Sequence, residues 1–207
     1  MTYSLKRKIQ ICLLLAAVCL LTGCATGQET ADPQEAAVFA AAETYRGIYE
    51  DVYPGDHTAV WLTDETMREI LSCLGAAGYT AVDVSNRFAM EHAESVSAFL
   101  AAMEADGDAR LTIYQVCWDG GFVCHDLSHT DGSTWVTLTR LAWLSEGDYA
   151  LTGDIPTICY SDTYAVTAIA LSDDGWLEYA YDMLDNPPGE NHDGHIDTQY
   201  QIAVSVP

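Results

Sequence analysis

The sequence predicts an α+β domain in which about three N-terminal helices pack on a curled antiparallel sheet of about five to seven strands. Two observations lead to this fold class. Apolar residues recur at helical spacing through the first half of the chain, whereas from Leu111 onwards β-branched and aromatic runs alternate with turn residues. Hydrophobic residues make up 49% of the 207 positions and charged residues 19%, which is typical of a globular chain. Helices followed by strands, rather than alternating with them, indicate α+β architecture.

The first 24 residues have the order of an export signal. Basic residues at positions 6–8 precede an apolar stretch at 9–21, which is shorter than the roughly 20 residues that a bilayer-spanning helix needs. The Leu-Thr-Gly-Cys sequence at 21–24 resembles the lipobox of bacterial lipoproteins. The resemblance implies that Cys24 carries a diacylglyceryl group and becomes the N-terminus after cleavage.

This resemblance implies a protein that is lipid-anchored at the extracytoplasmic face of the cell membrane, with the bilayer as its first partner. Two acyl chains give stable anchoring, whereas one gives marginal membrane residence. We therefore divide the chain into a signal peptide (1–23), a lipidated cysteine with a flexible tether (24–31) and a single α+β extracytoplasmic domain (32–207). The alternative is an ordinary buried helix, which the basic residues before the apolar run disfavour.

The charge of the chain excludes one class of function. The 8 Lys and Arg residues stand against 31 Asp and Glu residues, so the net charge is −23. Removal of residues 1–23 would leave five Arg and no Lys, with a net charge of −26. Such a chain is repelled by nucleic acid and by anionic lipid headgroups, and without Lys it has no Schiff-base chemistry. The simplest interpretation of the acids is a solvated surface.

The helical half contains three amphipathic segments. A capping box at Asp32 predicts the start of the first helix, which the turn residues 53–55 end. The second helix is predicted over 64–74 and the third over 93–103, with a short strand at 79–84 between them. The predicted apolar stripe of the first helix consists of Val38, Ala42, Tyr45, Tyr49 and Val52.

The second half of the chain contains six predicted strands, at residues 111–118, 122–129, 135–143, 157–171, 176–183 and 196–206. Glycine-containing turns separate several of them. The run 157–171 is too long for one straight strand, so we expect a bend near 161–162. The last run alternates apolar and polar side chains, which predicts one buried and one solvated face.

The order of these elements resembles the cone-shaped fold of the nuclear-transport-factor-two-like and cystatin-like group, which implies a scaffold for enzymes and binding modules alike. Three pieces, at 43–46, 78–83 and 120–122 ahead of Asp126-Leu127, resemble an uncharacterised family of clostridial lipoproteins. That second resemblance implies an architecture and adds no chemistry.

Four cysteines follow the lipobox, which permits two disulfides in an oxidising compartment. If the glycines at 120–121 form a two-residue hairpin turn, Cys117 lies opposite Cys124 within disulfide distance. Two free thiols are an equally weighted alternative, because a change of register by one residue would place them on opposite faces. The pairing of Cys73 and Cys159 stays open.

The densest group of candidate metal ligands lies at 190–197. On a turn, His192, Asp193, His195 and Asp197 could converge on zinc, or the carboxylates could hold calcium. The spacing matches no established metal loop, and the central Asp-Gly pair is an ordinary turn, so a solvated hairpin tip is favoured. We therefore assign neither a metal nor a cofactor.

Three further side chains could act on a ligand. His125 and His129 share one face of a predicted strand, and Asp119 and Asp126 are near enough in sequence for a His–carboxylate dyad. A half-solvated strand face is the preferred interpretation. Arg140 could bind the carboxylate of a ligand, or it could be a paired structural residue.

Aromatic side chains crowd the second half of the chain, where they could form a platform for a sugar or a peptide. Core packing explains most of them with fewer assumptions. They are Tyr114, Trp118, Trp135, Trp143, Tyr160, Trp176, Tyr179 and Tyr181.

These observations favour a non-enzymatic module, anchored by Cys24, that binds a small ligand, a glycan or an envelope protein through the face of its sheet. The chain lacks a Gly-x-Ser-x-Gly elbow, a His-Glu-x-x-His helix and a phosphate-binding loop. The alternative is a small hydrolase or isomerase with a His–carboxylate site in the cone of the sheet. A shallow aromatic surface favours the first hypothesis, and a deep pocket with convergent His and Asp favours the second.

Overall fold

The computed structural model of the chain describes residues 32–182 and 197–204. Its elements, in chain order, are α1 (Pro33–Val52), α2 (Asp64–Ala76), β1 (Thr80–Asp83), α3 (Glu94–Glu104), β2 (Ala109–Val116), β3 (Phe122–Thr130), β4 (Ser133–Ser145), β5 (Asp148–Thr152), β6 (Ile155–Leu171), β7 (Trp176–Asp182) and β8 (Asp197–Ala203). The predicted α+β class is confirmed. Among the described helices, none has the length and apolar character that a membrane crossing requires.

The three predicted helices are present, and each buries an apolar stripe. α1 starts at Pro33 and ends before the predicted turn, with Val52 the one exposed member of its predicted stripe. α2 begins after Thr63, whose hydroxyl oxygen accepts a hydrogen bond from the backbone N–H of Thr66 at 3.2 Å. This cap satisfies one of the free N–H groups at the start of the helix.

The described strands form one sheet of eight strands in the order β1-β2-β3-β4-β6-β7-β8, with β5 paired to β4. All pairs are antiparallel except β1 and β2, which run parallel because α3 lies in the connection between them. The sheet is therefore mixed, and it has one strand more than the upper limit of the prediction. The strand that the sequence did not indicate is β5, at Asp148–Thr152.

The sheet curls until its two ends meet. Three strand spacings separate β3 from β7, which in a flat sheet amounts to about 14 Å. Nevertheless, Nδ1 of His125 on β3 lies 2.5 Å from the hydroxyl of Tyr179 on β7. At the two outer strands, Asn86 just after β1 accepts a hydrogen bond from the backbone N–H of Ala203 on β8 at 3.0 Å. The predicted cone-like sheet is thus confirmed.

Two bulges give β6 its bend. Opposite β4 the extra residue is Cys159, and opposite β7 it is Thr167. One bend was expected near residues 161–162, whereas the two bulges lie on either side of that position. Each bulge increases the local twist, which allows one strand of 17 residues to follow the curvature of the sheet.

Two hydrophobic cores lie on opposite faces of the sheet. The first lies between the outer face and the helices α1 and α2, and its largest members include Tyr45, Tyr49, Met67, Leu74, Phe122 and Trp143. The second fills the inside of the curled sheet, where α3 contributes to it, and it includes Val96, Phe99, Leu127, Leu138, Leu177 and Tyr179.

The β2–β3 hairpin departs from the predicted register. Cys124 lies opposite Tyr114, and the backbone N–H of Cys117 donates to the carbonyl of Gly121. Of the two alternatives that the sequence left open, the opposition of Cys117 and Cys124 is wrong, and in the observed register strand alternation places their side chains on opposite faces. Only one of the two glycines, Gly120, has a positive φ, at 82°.

The four cysteines of the described chain are free thiols. Burial raises the pKa of the Cys124 thiol to about 12, and it also raises the pKa of Cys117. These two thiols are therefore protonated near neutral pH, which makes them poor nucleophiles and poor metal ligands.

Candidate functional site

The predicted metal ligands are mostly beyond what the structure describes. His192, Asp193 and His195 lie outside the described residues, and of Asp197, at the start of β8, the structure describes only the backbone. Cys24 is also outside. Within residues 32–182 and 197–204, no group of three or more His, Cys, Asp or Glu side chains could hold a metal ion.

His125 is fully buried inside the curled sheet and is bound by two neutral partners. Its Nδ1 lies 2.5 Å from the hydroxyl of Tyr179, and its Nε2 lies 3.3 Å from Oε1 of Gln115. Because an amide oxygen only accepts, Nε2 carries the proton and the Tyr179 hydroxyl donates to Nδ1. Burial lowers the pKa of His125 to about 3, so the ring is neutral near neutral pH. The predicted half-solvated face is wrong here, and His129 is buried as well.

The carboxylates that were expected near these histidines are paired with arginines. Asp126 points to the other face of β3, where it binds Arg110 at 2.5 Å and accepts from the hydroxyl of Thr112. Asp119 binds Arg140, which also donates to two backbone carbonyls beside the hairpin. Arg140 is therefore a paired structural residue, and no carboxylate contacts His125 among the described residues.

A surface pocket of about 190 Å³ lies along β6, β7 and β8. Its side chains belong mainly to the outer face of the sheet and are small, with Ala168, Ala170 and Ala180 among them. Glu178 is the one titratable group on that face of the pocket, and it accepts a hydrogen bond from Gln201 at 2.8 Å. This pocket has few polar groups with which to orient a ligand.

Most of the predicted aromatic platform is core. Tyr114, Trp143, Tyr179 and Tyr181 are buried, and Trp118 and Trp176 are half-buried. Trp135 and Tyr160 are exposed, yet no aromatic contact joins them to each other in the described structure. The sheet face therefore does not provide the platform.

A row of aromatic and guanidinium groups lies at the surface elsewhere, where α2, the loop after β1 and the β2–β3 hairpin meet. Trp61, which is 76% exposed, stacks on Trp118 with ring centroids 6.2 Å apart and planes 16° apart. The Arg87 guanidinium carbon lies 4.4 Å from the Trp118 ring centroid and 5.7 Å from that of Phe88. Arg68 in turn lies 4.7 Å from the Phe88 centroid. We call these five residues the aromatic–arginine face.

Trp61 points to solvent because the segment before α2 is anchored on both sides of it. Val60 and Leu62 are buried in the first core, so the residue between them is directed outwards. The backbone N–H of Leu62 donates to the carbonyl of Trp118 at 2.8 Å, which brings the two indoles side by side. Thr63 then begins α2 as its N-cap.

The loop after β1 is held by a buried carboxylate. The side chain of Asp83 accepts hydrogen bonds from the backbone N–H groups of Ser85, Arg87 and Phe88 at 3.0, 2.8 and 2.9 Å. The hydroxyl of Ser85 accepts a hydrogen bond from Nε1 of Trp118 at 2.7 Å. The loop and the indole are therefore in place before any ligand arrives, which reduces the entropic cost of binding.

The hairpin that carries Trp118 is fixed by side chains of α1 and β4. The carbonyl of Gly120 accepts hydrogen bonds from the hydroxyl of Tyr45 and from Nε1 of Trp143, both at 2.8 Å. A Cβ on Gly120 would lie 2.5 Å from the ring of Tyr49, so this position requires glycine for space as well as for its positive φ.

The arginines of the face differ in their pairing. Arg87 forms an ion pair with Asp64, the first residue of α2. Within the part of the chain that the structure describes, Arg68 is the one arginine without a carboxylate in ion-pair distance. The face thus combines an open indole, a paired guanidinium and an unpaired guanidinium.

Sequence reasoning missed Trp61 and the two arginines as site residues. One signal was available, because Val60-Trp61-Leu62 is an apolar triplet directly before a helix cap. In an extended segment the outer two residues share a side and the middle residue faces the other way. That pattern indicates an exposed tryptophan, but it gives no sign of the partners that the fold brings to it.

The comparisons with known proteins add a family and no activity. No curated protein and no solved structure matches the chain. The model of DUF6070, described as a family of unknown function, matches residues 31–200, which include the aromatic–arginine face and the buried His125. The expected resemblance to an uncharacterised family is confirmed to that extent, and the chain belongs to the family DUF6070.

Proposed function

We propose that this chain is a lipid-anchored extracytoplasmic binding protein, and that its aromatic–arginine face holds a component of the cell envelope. The observation that carries the proposal is the exposure of Trp61, 76%, on a stack that is already assembled. Exposed tryptophan and arginine are the residue types that contribute most to binding energy at interfaces.

The area argument gives the size of this contribution. A tryptophan side chain buries about 150–250 Å² when it is fully covered, and apolar burial is worth about 25 cal/mol per Å². Covering the exposed 76% of Trp61 would therefore contribute about 3–5 kcal/mol to binding. Among exposed side chains of the described residues, the other tryptophan is Trp135, which is 46% exposed and has no stacked neighbour in the described structure.

The anchor is supported by the N-terminal sequence. The order of basic residues, apolar stretch and lipobox favours a diacylglyceryl group on Cys24. The acidic composition supports a domain that stays in solvent beside the bilayer, since anionic headgroups repel it.

The anchor has a direct test with a matched control. Cells that express the full chain are labelled with a palmitate analogue, and the protein is recovered from membrane and soluble fractions. We expect label and membrane association in the wild type and in Cys19→Ala, which changes a cysteine of the predicted signal peptide. Both should be lost in Cys24→Ala. Label on the Cys24→Ala protein would refute the anchor.

The enzyme alternative has weaker support. His125 lies inside the cone as that hypothesis required, but both ring nitrogens are occupied by the neutral side chains of Tyr179 and Gln115. A general base needs access to the proton that it removes and a partner that stabilises its charged form. Burial makes the charged form of His125 unfavourable, as its low pKa indicates.

Binding is tested by sedimentation. The full-length lipoprotein, in a detergent without a sugar headgroup, is mixed with protein-free cell walls of the producing bacterium and centrifuged. We expect the wild type and Trp135→Ala to sediment with the walls, and Trp61→Ala to stay in the supernatant. Equal sedimentation of Trp61→Ala and wild type would show that the aromatic–arginine face is not the binding surface.

A further inference from the structure

We infer that the ligand of the aromatic–arginine face is an uncharged oligosaccharide, with one pyranose ring stacked on Trp61 and neighbouring hydroxyls bound by Arg87 and Asp64. This inference rests on the proposed function and names the ligand class of the same site.

The shape of the face fits a sugar ring. Trp61 and Trp118 lie with their planes within 16° of each other, and the outer indole is largely uncovered. A pyranose ring presents C–H groups on its faces and hydroxyls around its rim. An aromatic face packs on the C–H groups and leaves the rim free for hydrogen bonds. An indole held on a second indole offers such a surface without prior rearrangement.

The polar side chains near the indoles, Asp64 and Arg87, can form hydrogen bonds with sugar hydroxyls. The Asp64 and Arg87 side chains are 54% and 48% exposed although they are paired with each other. Arg87 uses one of its five N–H donors on Asp64, so donors and a carboxylate oxygen remain for a ligand. A hydroxyl both donates and accepts, and an adjacent guanidinium and carboxylate can satisfy it in both ways.

Charge argues against the other ligand classes. A polyanion meets a chain with a net charge of −23, and its arginines are mostly paired. A cation such as a quaternary ammonium binds between aromatic rings, but here it would lie beside Arg87 and Arg68. An uncharged ligand avoids both penalties.

The test uses the full-length protein in a detergent without a sugar headgroup and isothermal titration calorimetry. The probes are cellohexaose, chitohexaose and mannohexaose, with hyaluronan and a proline-rich peptide as charged and peptidic competitors. We expect at least one hexaose to bind the wild type and Trp135→Ala equally and to bind Trp61→Ala at least about tenfold more weakly. Raising NaCl from about 0.05 to about 0.5 M should leave this affinity unchanged, because no ligand charge is screened.

A second variant tests the polar half of the inference. Arg87→Lys keeps the charge but loses the planar guanidinium that lies over Trp118 and pairs with Asp64. We expect it to weaken hexaose binding about fivefold or more. The matched control is Arg46→Lys, since Arg46 also lies over a tryptophan, Trp143, and pairs with a carboxylate away from the face.

The outcomes separate the two proposals. If the protein sediments with cell walls in a Trp61-dependent manner but binds none of the three hexaoses, the ligand class is wrong and the binding function stands. The same conclusion follows if only hyaluronan or the peptide binds. If sedimentation does not depend on Trp61, the binding function fails and this inference fails with it.

Discussion

The inside of the curled sheet and the aromatic–arginine face use the same residue types in opposite ways. Inside, Tyr179 stacks on Tyr200 with ring centroids 5.5 Å apart, and the hydroxyl of Tyr179 donates a hydrogen bond to His125. On the face, Trp61 stacks on Trp118 at a similar distance, 6.2 Å, but most of its indole is in solvent. The difference teaches that stacking alone does not indicate function, whereas stacking combined with exposure does.

Polar groups also differ between the inside of the curled sheet and the aromatic–arginine face. The described ring partners of His125 are neutral groups that complete its hydrogen bonds, and burial holds the ring in its neutral form. At the aromatic–arginine face, Arg87 and its partner Asp64 keep about half of their side-chain surface exposed in spite of their ion pair. Buried polar groups whose hydrogen bonds are all made stabilise the fold. Exposed polar groups that have made only some of their hydrogen bonds can still bind a ligand.

The largest expected effect is a difference in the free energy of unfolding between variants of the two regions. Tyr179→Ala would leave a cavity in the second core and an unpaired Nδ1 on His125, so we expect a loss of about 3–5 kcal/mol in the free energy of unfolding. Trp61→Ala should change that free energy by no more than about 0.5 kcal/mol. Denaturant unfolding of both variants measures this contrast. Comparable losses in the two variants would mean that Trp61 is structural.

The next largest effect is expected when Asp83, which holds the loop of the aromatic–arginine face, is replaced. Asp83→Ala removes the acceptor of three backbone N–H groups, and we expect the free energy of unfolding to fall by about 2–3 kcal/mol. Because the loop would also lose its fixed geometry, cell-wall sedimentation should weaken. Asp131→Ala, in the β3–β4 turn, is a control for binding. Unchanged binding in a destabilised Asp83→Ala protein would indicate that the loop does not need to be held.

Acid sensitivity sharpens the comparison further. The pKa of His125 is about 3 in the folded chain, against about 6.5 in an unfolded one. As the pH falls below about 6.5, the unfolded chain takes up a proton that the folded chain refuses, so stability is lost until the pH reaches about 3. Between pH 6.5 and 5 this loss amounts to about 2 kcal/mol.

His125→Gln removes this one titration and leaves the carboxylates of the chain in place. We expect the variant to lose about 2 kcal/mol less than the wild type between pH 6.5 and 5, whatever its stability at pH 7. Urea unfolding at the two pH values gives the difference directly. Identical losses in both proteins would show that His125 can be protonated in the fold.

Much of the fold could be predicted because its signals are local. The stripe of α2 and its cap at Thr63 follow from residues within one or two turns of each other. The Asp131-Gly132 turn is another such case, since both residues have the positive φ that its sequence indicates. β5 gave no comparable signal, because Asp148–Thr152 is short and lies between two glycine-containing turns.

The site could not be predicted in the same way because it is not local. The aromatic–arginine face joins Trp61, Arg87 and Trp118, which lie in three separate segments, and their meeting depends on the register of one hairpin. Two adjacent glycines permit more than one turn there, so the sequence left that register open. The abundance of aromatic residues in the β half pointed to the sheet, whereas the exposed tryptophan at the centre of the face precedes it.

The last prediction concerns the reactivity of the cysteine thiols and needs no variant of the protein. In the observed register Cys117 and Cys124 lie on opposite faces, so all four cysteines of the described chain should be alkylated in denaturant without a reductant. In the native protein the exposed Cys159 should react first and Cys124 last, because burial raises the pKa of Cys124 to about 12. Peptide mass spectrometry after timed alkylation gives both results. A Cys117–Cys124 disulfide would instead show that the hairpin does not have the register in which Cys124 lies opposite Tyr114.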